Sequence, residues 1–266
     1  MRWAINAALL IAGCAAAYAL LAYVVLPALW THHERQPGLA GRPMTTNTAQ
    51  GIPGDPLNVS LVGDKDEVVA ALERAGWKPA DAITLKSSAR IAESVLLHRP
   101  DPDAPVSNLF YEGRRQDLAF EKPEGRSADK RHHVRFWRVL ERGAEGHPVW
   151  LGAATFDASV GLSRYTGQIT HHISPDIDAE RDGLIFDLNE AGALAQIYQV
   201  TGSGATLLGR NGEGDRYITD GEMTVGVLRT GELAGAVPAA ILPNPPAVEM
   251  KNSAISAIKA VVIGEE

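Results

Sequence analysis

Residues Thr170 to Asp182 read THHISPDIDAERD, and this stretch decides how the chain is to be parsed. Two adjacent histidines are followed by Asp176, Asp178, Glu180 and Asp182, with Arg181 among them, the densest run of titratable groups in the sequence. Ser174 or Asp176 is a good helix N-cap, Pro175 suits a first helical position, and acids in a first turn complement the positive end of the helix dipole. The helix should run to about Ala191 and stop at Gly192. On a 3.6-residue period Ile177, Arg181, Leu184 and Leu188 share one face, with Ile185 beside them, so Arg181 points to the apolar side. A buried guanidinium needs a carboxylate or several carbonyls, and Asp117 or Asp157 are the candidate partners. The stretch is thus a strand or loop end running into a capped helix.

Outward from it, the sequence alternates strands and helices. Upstream, Val106 to Tyr111 and Asp117 to Glu121 flank the polar turn 112–116 as a hairpin, and His132 to Leu140 and Val149 to Phe156 complete an antiparallel meander. Val59 to Val62 is a further short strand. Asp64 caps a helix to Ala75 that ends at Gly76, and Ser87 to His98 has helical spacing. Downstream, Leu194 to Val200 is a strand, and Tyr217 to Val225 around Asp220-Gly221 reads as a type I′ hairpin. A last helix, Ala247 to Val262, carries Met250, Ala254, Ile258 and Val261 on a stripe expected to pack in the core. The class is α+β, an antiparallel sheet (meander plus C-terminal hairpin) packed with several helices and preceded by one N-terminal transmembrane helix.

Ala4 to Trp30 contains no charged residue. At about 1.5 Å per residue it is long enough to cross a roughly 30 Å hydrocarbon core, longer than the apolar part of a cleavable signal peptide. Ile11-Ala12-Gly13-Cys14 has the small-residue pattern of a lipoprotein signal, but the apolar run continues well past Cys14. Residues 1–30 therefore read as a transmembrane signal anchor, with the bilayer as partner of residues 4–30. Arg2 before the span and Arg35 and Arg42 after it nearly balance, and the body is assigned to the outer side of the membrane. Residues 31–56, rich in Pro and Gly, read as a linker, and 57–266 as the folded domain.

A net charge of −7 argues against nucleic-acid binding. With Cys14 the single cysteine, neither an intrachain disulfide nor a cysteine metal site can form, so any metal must be held by His, Asp and Glu. One histidine from each of His132-His133 and His171-His172, with Asp176 or Asp178, would make a divalent-metal site suited to zinc, manganese or iron. The set taken is His133, His172, Asp176 and Asp178, with Glu180 as a general base and Arg135 and Arg181 holding an anion. His132, His133, Arg135, His171, His172 and Arg181 are the candidate binding residues. The plainer reading makes the histidines hydrogen-bonding groups of the sheet and the acids a solvated helix start. Between Arg114 and Arg142, nine Lys/Arg face five Asp/Glu. Arg114, Arg115, Lys122, Arg126, Lys130, Arg131 and Arg135 could present a surface to a phosphorylated or lipid head-group ligand. Thr201-Gly202-Ser203-Gly204 lacks the ending of a P-loop, and no nucleophile elbow occurs.

The segments LNVSLVGDKDEVVAALERAGW, APVSNLFYEGRRQDLAFEKP, RSADKRHHVRFW, VWLGAATFD and THHISPDIDAERD, in that order, resemble the LssY-like C-terminal domain family over Asn58 to Val200. The resemblance implies a membrane-associated bacterial protein; together with the one apolar span and its flanking charges, the expectation is a single-pass inner-membrane protein with its domain in the periplasm. Some family members carry the domain after DedA-type and type-2 phosphatidic acid phosphatase modules, which implies envelope or lipid-phosphate biology; neither module is present here. Two functions are carried forward: a binding or accessory module of the envelope, and a metal-assisted hydrolase of a phosphorylated lipid or other envelope substrate.

Overall fold

The computed structural model describes residues 2–29, 36–80, 108–125, 130–165, 167, 169–201, 204, 207–230 and 237–263. The helix expected over Ser87 to His98 lies outside them, as do Trp30, Val106 and Arg126.

Helix α1, Arg2–Leu20, continues through a π turn at Leu21–Val25 into a last helical segment, Leu26–Leu29. Pro27 has no N–H for the carbonyl four residues back. Beside it the register widens, Leu26 N–H reaching Leu21 O. Ile5–Val25 has a mean hydropathy of 2.2 and none of it is buried among the described residues, so one N-terminal helix is long and apolar enough to span a membrane.

The body is α+β. Its main sheet comprises β3 (Val59–Val62), β4 (Lys78–Pro79), β7 (Leu118–Pro123), β8 (Arg131–Leu140), β9 (Val149–Leu162), β10 (Ile169–Ile173), β11 (Leu194–Thr201), β14 (Glu222–Leu228) and β15 (Ala240–Ile241). The order is β15-β11-β14-β3-β9-β8-β7-β4, with β10 on the distal half of β9. Three of the four runs expected in the meander are present as β7-β8-β9, and the first, ending at Tyr111, belongs to a second, smaller sheet. The sheet is mixed, because β3 runs parallel to β14, and β11 parallel to β15.

All four residues of β3 are buried, as befits a strand covered on both faces. Ser60 lies there satisfied, its hydroxyl donating to Trp150 O at 2.8 Å. One face packs Leu61, Val134, Phe136 and Trp150 against helices α2 (Lys65–Arg74) and α3 (Ile177–Glu190), through Val68, Leu72, Leu184 and Leu188. Each such side chain stabilises the fold by about 1.5–3 kcal/mol. The second face packs Trp137, Leu151, Tyr198 and Val225 beneath a small sheet. That sheet comprises β1 (Thr45–Asn47), β2 (Pro53–Pro56), β5 (Phe110–Tyr111) and β6 (Arg114–Arg115). A capping box of Asp64 and Glu67 starts α2, and Asp176 caps α3 by accepting from Asp178 N and Ala179 N. Asn58 joins the layers, donating to Ala154 O and Ile177 O and accepting from Ala154 N.

Four expectations are corrected. From residue 36 the Pro/Gly-rich stretch belongs to the fold. Gln36 is buried against Tyr198 Oη at 2.6 Å, Leu39 is in the second core, and the prolines and glycines shape β1, β2 and their turns. The first hairpin turns in two residues where five were expected, and its return strand is Arg114–Arg115, while the expected arm from Asp117 lies in the main sheet. Phe110 pairs with Arg115 and Tyr111 with Arg114, and both Glu112 (φ 47°) and Gly113 (φ 76°) take the left-handed conformation of a type I′ turn. The hairpin at Asp220-Gly221 does not form. Arg216–Ile218, β13, pairs instead with Leu208–Arg210, β12, while β14 joins the main sheet. The reason lies in α3, whose Asp178 takes hydrogen bonds from Thr219 Oγ1 and Asp220 N, occupying the segment that would have turned. Finally, in helix α4, Pro246–Ile263, the side buried is Val248, Lys251 and Ile255, whereas Met250, Ala254, Ile258 and Val261 face outward.

Candidate functional site

Strand β8 sends successive side chains to opposite faces. His132 therefore shares the helix-covered face with Val134 and Phe136, while Arg131, His133 and Arg135 lie on the other. Strand β9 brings Asp157 opposite Arg131, and β10 lies along the far half of β9 with a register slip between His172 and Ile173. Two histidines thereby meet one carboxylate. His133 Nε2 lies 2.8 Å from Asp157 Oδ2, and His171 Nδ1 contacts the same oxygen. One ligand atom from each of the three residues lies within 4.8 Å of the others. His133 and Asp157 are buried, and the His171 side chain is 27% exposed, which leaves one side open. Among the described residues, the buried Nδ1 of His133 has no hydrogen-bond partner.

The surroundings are charged and mostly closed. Burial alone would raise the Asp157 carboxyl, but His133 and then His171 outweigh it and hold the group well below the usual carboxylate range. It is an anion at any physiological pH. Asp55, paired with Arg135 at 3.0 Å, goes the other way: burial pushes it up against the pull of Arg135, and neighbouring Asp157 and Asp215 add to the push. His172 turns to Asp215, Nδ1 to Oδ1 at 2.6 Å, and that carboxylate also accepts from Ile173 N. Gly161 makes room for this ring, since a Cβ there would lie 2.5 Å from His172 Nε2.

The set His133, His172, Asp176 and Asp178 is not brought together. Only His133 is at the cluster. Asp176 and Asp178 are structural acids of the α3 N-terminus, both bound by Lys259 of α4. Asp178 in addition takes the Thr219 hydroxyl and Asp220 N and pairs with Arg181. Arg181 is buried as its helical position requires, but its partner is Asp220 rather than Asp117 or Asp157. With that carboxylate in place it is not an anion-holding arginine. Glu180 lies on the opposite side of the sheet from Asp157, bonded to His132 Nδ1 at 2.8 Å, so it is no base for this cluster. Its hydrogen bond, against the opposing effect of burial, raises the His132 pKa, and the ring sits between Trp77 and Phe156.

The basic stretch does not form one surface. Arg131 and Arg135 are buried in ion pairs with Glu121 and Asp55, and Lys122 pairs with Asp187. Arg114, Arg115 and Lys130 are exposed. Asp157, Asp55 and Asp215 were not legible as site residues. Asp157 had a signal, a lone carboxylate ending the apolar strand VWLGAATFD; the other two sit in turn-like sequence and had none.

A family model described as LssY C-terminus matches residues 36–223, a span that contains β1, the whole His/Asp cluster and the first residues of β14. No curated protein and no solved structure matches the chain.

Proposed function

The chain belongs to the LssY C-terminus family, and from that premise we propose a membrane-anchored binding module of the bacterial envelope that holds a divalent transition metal at His133, Asp157 and His171. The observation that carries the metal is the convergence of those three ligand atoms. Two imidazoles and one anionic carboxylate are the donor set preferred by zinc, manganese and ferrous iron. The anchor rests on Ile5–Val25. Its 21 residues, at about 1.5 Å each, cover a roughly 30 Å hydrocarbon core. The body is assigned to the periplasmic side of the inner membrane.

Binding is favoured over hydrolysis because the groups a hydrolase would need are engaged elsewhere. Glu180 is across the sheet, and Arg181 and Arg135 already hold carboxylates. Hydrolysis of a phosphorylated lipid is the second reading, favoured by the exposed edge of His171, which leaves the metal an approach from solvent.

The test is elemental analysis of the full chain purified in detergent, before and after chelation, with a phosphatidate turnover assay on the same samples. One metal per chain, lost in His171→Ala, is expected with no turnover. Metal-dependent turnover moves the assignment to the hydrolase. Absence of stoichiometric metal, with melting unchanged by chelator, sinks both.

A further inference from the structure

Helix α4 divides into three sectors. Val248, Lys251 and Ile255 face the body, where Lys251 pairs with the fully buried Glu222 and Lys259 binds Asp176 and Asp178. Glu249, Ser253 and Ser256 form a polar, exposed flank. The remaining flank is apolar and uncovered: Met250 is 73% exposed, Ile258 53% and Val261 61%, with Ala254 and Ala257 between them. Both lysines turn inward into ion pairs, so the orientation of the helix is fixed by charge and its apolar side is held outward. The helical segment Leu26–Leu29, where the long apolar helix ends, runs against α4.

We infer that the outward flank of α4 lies in the lipid interface of the bilayer that α1 crosses. This rests on the anchor proposed above. If Ile5–Val25 fills the hydrocarbon core, Leu26–Leu29 emerges at the level of the head groups, and a helix packed against that segment is at the same depth. A helix with one apolar and one polar flank buries the first into the head-group and acyl boundary and leaves the second in water. Because both lysines of α4 are spent on Glu222, Asp176 and Asp178, the attraction is apolar and does not call for anionic lipid. Lys251 and Lys259 also keep α4 tied to the body, so it lies on the surface and does not cross it.

The test uses the full chain in phosphatidylcholine vesicles with an environment-sensitive fluorophore on a single cysteine. The native Cys14 reports the span, and Met250→Cys, Ile258→Cys, Val261→Cys and Glu249→Cys, each with Cys14→Ala, report α4. Lipids carrying a quencher at different depths are then compared. Expected are deep quenching at Cys14, shallow quenching with a blue shift at positions 250, 258 and 261, and none at 249. Adding anionic lipid should leave the pattern unchanged. Deep quenching at Cys14 with none along α4 overturns the inference and leaves the anchor standing, as does disulfide formation between chains in unlabelled Ile258→Cys in place of lipid quenching of the labelled protein, which would assign the flank to a second copy. No quenching at Cys14 overturns the anchor and the inference with it.

Discussion

Arg181 grips Asp220 with two parallel hydrogen bonds, Nη1 to Oδ1 at 2.8 Å and Nη2 to Oδ2 at 3.0 Å, and Nη1 also donates to Glu222 O at 2.9 Å. Burial opposes the charge on Arg181, but Asp220 outweighs it and raises the guanidinium well above its usual value, while Asp220 itself is lowered. Removing one member of such a pair strands the other in the interior, which costs about 3–5 kcal/mol. Arg181→Met should therefore lower the unfolding free energy of the detergent-solubilised chain by that amount. Adding Asp220→Asn should recover part of it. A loss below about 1 kcal/mol would mean that the pair is solvated.

His132 gives the stability a pH dependence of known sign. Its folded pKa is raised above 6.5 by Glu180, so the folded state holds the proton more tightly than the unfolded chain. The pair's contribution is then complete below about 6.5 and is lost as pH rises through the folded value. Thermal unfolding between pH 5.5 and 8.5 should show a decline in the native protein that is shallower in His132→Gln. Identical slopes in the two proteins would remove the claim.

Metal should stabilise the native state by mass action. A free concentration one hundred times the dissociation constant adds about 2.7 kcal/mol. Zinc titration followed by unfolding should show this gain in the native chain and in His172→Ala, whose ring serves Asp215. It should be absent in His133→Ala and Asp157→Asn. A gain that survives in Asp157→Asn would place the ion elsewhere.

Gly152 stands where β9 passes between two aromatic and aliphatic neighbours. A Cβ there would lie 2.6 Å from the Phe136 ring and 2.8 Å from a Val59 methyl. Overpacking of this kind costs about 1–3 kcal/mol. Gly152→Ala should lower the melting temperature, while Gly113→Ser, which has open space around it but φ 76°, tests backbone strain alone.

What the sequence disclosed follows from the range of the forces involved. The caps at Asp64 and Asp176, the turning of Arg181 to the apolar side and the opposed faces of His132 and His133 are set by neighbours within a few residues. The partners were not. Asp220, Asp157 and Asp215 reach Arg181, His171 and His172 across 39, 14 and 43 residues, and nothing local selects one carboxylate from another. The same limit explains α4. The period of its apolar residues is a local property, but which side packs is decided by Glu222, Asp176 and Asp178, which capture its two lysines from other elements.

Strand β3 lies between β9 and β14, and its parallel neighbour β14 is drawn from a part of the chain more than 160 residues later: Val59 pairs with Thr224 and Val62 with Val227. During synthesis one side of the most buried strand therefore has no hydrogen-bonding partner until Leu228 has left the ribosome. Such late, non-local pairing is slow to form and leaves strand edges open to wrong partners meanwhile. An apolar segment at the N-terminus would engage the membrane long before that, so the domain would be delivered as an open chain and close only afterwards. Truncation before β14 should accordingly yield a protein without a native sheet centre, degraded rather than partly active.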